Sequence, residues 1–131
     1  MNSVVESDFY SLLWQIQAIQ DRGYNELAVS TSFQKKLDSI LDKWEDAKTS
    51  RAKRELVEQL QELALPVFEA EVVWQLNRFV QFNVVNRDCD KVQELLEQGR
   101  DKKLPVYERV KCLRAALREI AAVKRNLKQK P

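Results

Sequence analysis

An all-α fold is what this chain predicts: a single-domain bundle of five to six helices around a central apolar helix over about residues 66–85. Three observations point there. The 131 residues include only two Gly and three Pro, which leaves few places for the tight turns that strand hairpins need. Hydrophobic residues make up 44% and charged residues 32%, a globular balance in the length of one ordinary domain. In segment after segment, apolar residues recur at the three-four spacing of one buried helix face.

The elements follow in order. Ser3 and Glu6 have capping-box spacing and open a first helix to about Arg22, with Val5, Phe9, Leu12, Leu13, Ile16 and Ile19 inward. Gly23 is placed as its C′ residue. Tyr24 to Ser30 reads as a connection with Leu27 and Val29 tucked in. Thr31 or Ser32 caps a second helix through Ala47, whose inner face is Phe33, Leu37, Ile40, Leu41 and Trp44. Thr49 and Ser50 mark a break, after which Leu56, Leu60 and Leu63 face inward. A single helix from about 32 to 64 is the alternative. It would keep Arg51, Lys53 and Arg54 out of a first turn, where the macrodipole disfavours cations.

Val67 to Val85 is the most apolar stretch. On a helix, Phe68, Val72, Leu76 and Phe79 form one stripe with Val73, Val80 and Val84 beside it, while Trp74, Phe82 and Val85 lie on a second face. A helix apolar nearly all round is normally buried. Parts of the stretch also alternate as a strand would, but no other segment reads as its partner, and a lone strand leaves its backbone unpaired. Pro66 suits a helix start and Asn86 a helix end. Asp88 or Asp90 then caps a short helix carrying Val92, Leu95 and Leu96, and Gly99 stops it. After a basic loop, Pro105 begins the last helix, which runs to about Lys128 with Val106, Val110, Leu113, Leu117, Ile120 and Leu127 inward.

The runs Leu65-Pro66-Val67-Phe68-Glu69 and Leu104-Pro105-Val106-Tyr107-Glu108 match 39 residues apart. Their spacing resembles HEAT-type helical repeats, yet such arrays need three units and the chain offers two. Shared helix-start chemistry is the preferred account.

No enzyme is expected. The chain contains no histidine, so the commonest general base and the usual zinc ligand sets are missing. Cys89 and Cys112 lack CxxC spacing and read as reduced structural thiols, and two glycines cannot build a phosphate loop. No catalytic residue, metal ligand or cofactor is assigned. Glu69 and Glu71 are expected to face solvent while favouring the helix dipole, and Asp38, Asp42, Glu45 and Asp46 to form a solvated face. The start MNSVVESDFY lacks a signal-peptide pattern and no stretch is long and apolar enough to span a membrane, so a cytoplasmic location is expected.

Charge is the strongest functional hint. Residues 1–98 carry 11 Lys/Arg against 17 Asp/Glu, whereas residues 99–131 carry 11 against three. Lys111, Arg114, Arg118, Arg125 and Lys128 recur at helical spacing and share one face, with Arg109, Lys124, Lys102 and Lys103 adding to the field. These nine form the candidate binding site for nucleic acid or an acidic partner. The leading expectation is a non-catalytic adaptor subunit of a larger assembly, contacting a protein partner through the apolar central helix or the acidic N-terminal part. The alternative is sequence-independent binding of an RNA or DNA backbone through the basic last helix. By analogy of size, helicity and basic face alone, that would suit a small subunit of an RNA-guided interference type ribonucleoprotein. A third arrangement is a homodimer through the apolar surplus of the central helix.

Overall fold

The computed structural model describes residues 4–81 and 86–129, and its fold class is all-α. Among the described residues there are six helices: α1 (Val4–Arg22), α2 (Glu26–Val29), α3 (Thr31–Asp46), α4 (Ser50–Gln81), α5 (Asn86–Arg100) and α6 (Val106–Gln129). The chain divides into two compact units, Met1–Val67 and Phe68–Pro131. Ser3, and with it the predicted capping box, lies outside the described residues.

In the first unit, α1 buries Phe9, Leu12, Leu13, Ile16 and Ile19, the inner face that its spacing predicts. Gly23 ends it at φ +81, a left-handed backbone that costs glycine little. The following connection is not an open loop. Asn25 caps α2, its Oδ1 accepting from the Ala28 N–H at 3.2 Å while its Nδ2 donates to the Val67 carbonyl at 3.1 Å. Ala28 is buried, but Leu27 and Val29 are 48% and 49% exposed, contrary to the predicted inward pair. Adjacent residues of a helix point about 100° apart, so a single turn anchored by Asn25 turns only Ala28 fully inward.

Ser30 caps α3, one residue earlier than predicted, by accepting from the Phe33 N–H at 3.2 Å. Phe33, Leu37, Ile40 and Trp44 are buried. The Phe9 and Trp44 rings stack in parallel with centroids 3.8 Å apart, and the Trp44 indole N–H donates to the Tyr10 hydroxyl at 3.1 Å. Lys53 lies 5.6 Å from the Trp44 ring centroid and pairs with Glu6 at 2.7 Å.

The chain does break before Ser50. Thr49 Oγ1 accepts from the Ala52 N–H at 3.1 Å, a side-chain cap of the usual kind. The cations of that first turn are partly answered by carboxylates, Lys53 by Glu6 and Arg51 by Glu55 at 3.5 Å.

Pro66 does not begin a new helix; it lies inside α4. A proline inside a helix removes one backbone bond and costs about 3 kcal/mol. Here the ring faces solvent while Ala64, Val67 and Phe68 are fully buried. Burying a side chain of the Val or Phe kind contributes about 1.5–3 kcal/mol, so two such residues offset the break. The expected central helix over 66–85 is therefore the second part of a longer one. Phe68, Val72 and Phe79 are buried as predicted, and Leu76 and Trp74 are half-buried. The side chains of Val80, Phe82, Val84 and Val85 lie outside the described residues.

In the second unit, α5 begins at Asn86, earlier than a cap at Asp88 or Asp90 allows, and buries Cys89, Val92 and Leu96. Gly99 does not stop α5 either. It lies inside the helix and is buried, and a Cβ there would come within 2.5 Å of Leu113 Cδ2 and 2.6 Å of its Cγ. Glycine is needed for close approach to α6, whose entry is set by the Pro105 carbonyl accepting from Glu108 and Arg109 at 3.1 Å. Val110, Leu113, Ala116, Ile120 and Val123 form the buried stripe of α6, with Val106 and Leu117 half-buried. The matching runs at 65–69 and 104–108 thus have different structures, one mid-helix and one at a helix entry.

Gly99→Ala should lower stability by about 1–2 kcal/mol in urea titration, overpacking outweighing the gain in helix propensity. In a Leu113→Ala background the same change should be neutral or stabilising.

Candidate polyanion-binding face of helix α6

A helix turns about 100° per residue, so the stripe that α6 buries also dictates what it shows outward. Opposite Leu113 and Ile120, the residues Tyr107, Lys111, Arg114, Arg118 and Arg125 fall within an arc of about 60°. No carboxylate shares that arc, since Glu108 and Glu119 lie on its flank. Lys111, Arg118 and Arg125 are exposed and, among the described residues, make no ion pair. Arg114 is half-buried and engaged in interactions of its own. From Tyr107 to Arg125 the row runs about 27 Å at about 1.5 Å per residue.

The other predicted site residues are placed differently. Arg109 is half-buried, and its Nε donates to the Gly99 carbonyl at 2.8 Å. It satisfies a terminal carbonyl of α5, where a cation also suits the helix dipole. Lys102 and Lys103 are exposed on the connection between α5 and α6. That turn is folded by Asp101, whose carboxylate accepts from the Lys103 N–H at 3.0 Å and whose carbonyl accepts from Leu104 at 3.1 Å. Lys124 is exposed about 100° away from the row. The side chain of Lys128 lies outside the described residues.

Nearby carboxylates are held by partners. Glu119 pairs with Lys91 at 3.6 Å, Glu69 with Arg100 at 2.7 Å, and Glu108 accepts from the Tyr107 hydroxyl at 3.2 Å. Glu71 corrects the expectation of a solvent-facing residue: it is 0% exposed and accepts from Gln75 Nε2 at 3.1 Å. Among the described residues no buried side-chain polar atom lacks a hydrogen bond, so this polar pair is satisfied within the core of its unit.

Two features were missed in the sequence. Tyr107 belongs to the basic row, a placement legible from its spacing of four to Lys111 and eleven to Arg118. Trp14 is 66% exposed on α1, beside Tyr10 with ring centroids 6.2 Å apart. In the first unit, an open cavity of about 460 Å³ between α3 and α4 is lined by Lys36, Lys43, Ile40, Glu62, Leu63 and Pro66, among others.

Cys89 is buried and Cys112 half-buried, and neither is in a disulfide. Among the described residues, no three His, Cys, Asp or Glu gather where a metal ion would need them, and no helix is long and apolar enough to cross a membrane. Compared with family models, curated proteins and solved structures, the chain matches none.

Arg109→Ala should cost about 1.5–3 kcal/mol of stability, the usual worth of a hydrogen bond that involves a charged group. Urea midpoints would measure it.

Proposed function

We propose that this protein is a non-catalytic helical binding subunit of a larger assembly, and that the outer face of α6 grips a nucleic-acid backbone without reading its sequence. One observation carries the reading: Lys111, Arg118 and Arg125 project from a single acid-free face, each exposed and without an ion pair among the described residues. An ordinary solvated surface mixes both signs of charge, whereas a run of one sign is what a polyanion requires. Of the apolar residues of this part of α4, Val67, Phe68, Val72 and Phe79 are buried within the chain and offer nothing to a partner.

Three phosphate contacts imply a definite salt dependence. Each contributes a slope of about −0.7 on a single strand and about −0.9 on a duplex. Raising salt from about 50 to about 200 mM should then weaken single-strand binding about twentyfold and duplex binding about fortyfold, from dissociation constants on the order of 1–100 μM. Fluorescence anisotropy with labelled mixed-sequence RNA and DNA would measure this. Reversing Lys111, Arg118 and Arg125 together to Glu should abolish binding with the helical circular dichroism intact. Salt-insensitive binding, or binding that survives the reversal, would remove the proposal.

A second reading, an adaptor that docks a protein partner, is supported by Trp14. A tryptophan this exposed is the residue type that most often anchors interfaces. Trp14→Ser should change folding stability by less than about 0.5 kcal/mol, as surface substitutions do, because its ring is already in water. A loss well above that in thermal unfolding would instead make Trp14 part of the packing of its own unit.

A further inference from the structure

We infer that the ligand of the α6 face is single-stranded nucleic acid, held with one base stacked on Tyr107 and its backbone running along Lys111, Arg118 and Arg125. The inference rests on the backbone-binding reading above and adds the class of strand.

Tyr107 is 55% exposed at the start of α6, one turn before Lys111 and in line with Arg118 and Arg125. Its hydroxyl donates to Glu108 Oε1 at 3.2 Å. That bond engages the carboxylate of the neighbouring residue.

Lys111 follows Tyr107 by about 6 Å along the axis, at about 1.5 Å per residue. A nucleotide whose base lies on the ring therefore has its phosphate within reach of the ammonium. The later cations, seven residues apart, recur about every 10 Å, or about three stacked nucleotides at about 3.4 Å each. The whole row matches about eight nucleotides.

A duplex cannot use the ring without opening a pair, which costs a few kcal/mol; a single strand presents its base faces freely. An anionic membrane fits the face less well. Surface helices enter the headgroup region with an apolar face, and that of α6 is already buried, leaving Tyr107 and Ala121 outward.

The test uses the full chain with labelled single strands of about eight nucleotides, the matching duplex, and vesicles containing phosphatidylserine. Tyr107→Ala should weaken single-strand binding about tenfold, within the range that one stacked base contributes, and leave duplex binding unchanged. Tyr107→Phe should retain the wild-type affinity, which separates a lost ring from a lost hydroxyl. If Tyr107→Ala weakens both ligands equally, or neither, the stacking inference is overturned while salt-sensitive binding removed by the charge reversal still supports the backbone reading. Wild-type protein that binds neither strand form, or binds only vesicles, overturns both.

Discussion

The close crossing of α5 and α6 at Gly99 is the constraint on which the candidate surface depends. A methyl group there would stand 2.5 Å from Leu113, so the absence of a side chain lets Leu113 pack directly onto α5. Packing Leu113 fixes the rotation of α6 about its own axis. Once that rotation is set, every other position of the helix is set with it, because a rigid helix has no independent faces. The same contact is secured from the other side by Arg109, whose guanidinium holds the carbonyl of Gly99 itself at 2.8 Å. One cation of the basic helix is thus part of the joint that aims the others.

Electrostatics then sharpen what packing begins. The formal charge of the chain is only +2, too small to imply a polyanion partner. What matters is how the carboxylates are committed. Glu69 is tied to Arg100 and Glu119 to Lys91, both off the row, while Glu108 on its flank accepts from the Tyr107 hydroxyl. Exposed ion pairs of this kind contribute little to stability, but they keep acidic groups from pairing with Lys111, Arg118 and Arg125. At physiological salt the field of such a row extends about 8 Å, so local composition decides what it attracts.

The inner faces of the helices were legible because burial imposes a period that a list of residues displays. Phe9 to Ile19, Phe33, Leu37, Ile40 and Trp44, and Val110, Leu113 and Ile120 are buried where their spacing puts them, while Val5, Leu41, Val106 and Leu117 are half-buried. The errors fall where one residue type serves two purposes. Pro66 and Pro105 sit in nearly identical runs, yet one is mid-helix because buried neighbours outweigh its cost, and the other is at an entry. Gly99 has the sequence context of a stop but serves as clearance for a neighbouring helix. Glu71 reads as an early-turn carboxylate only if α4 begins at Pro66; α4 begins at Ser50 instead, and Glu71 lies in mid-helix, buried and bonded to Gln75.

By itself, then, the sequence determined the helical class, most buried stripes and the concentration of basic residues over 99–131, and it left open whether residues 32–64 form one helix or two. These are properties of neighbours within a few residues, and periodicity and capping chemistry report them directly. Only the tertiary structure decided which cations are free. Arg109 and Arg118 are the same residue type on the same helix, and what separates them is a carbonyl of α5 that lies ten residues from Arg109 in the chain. It decided equally that Trp14 stays in water while Trp44 is stacked on Phe9. Both outcomes come from contacts between segments distant in sequence, and spacing along one helix carries no information about what packs against it.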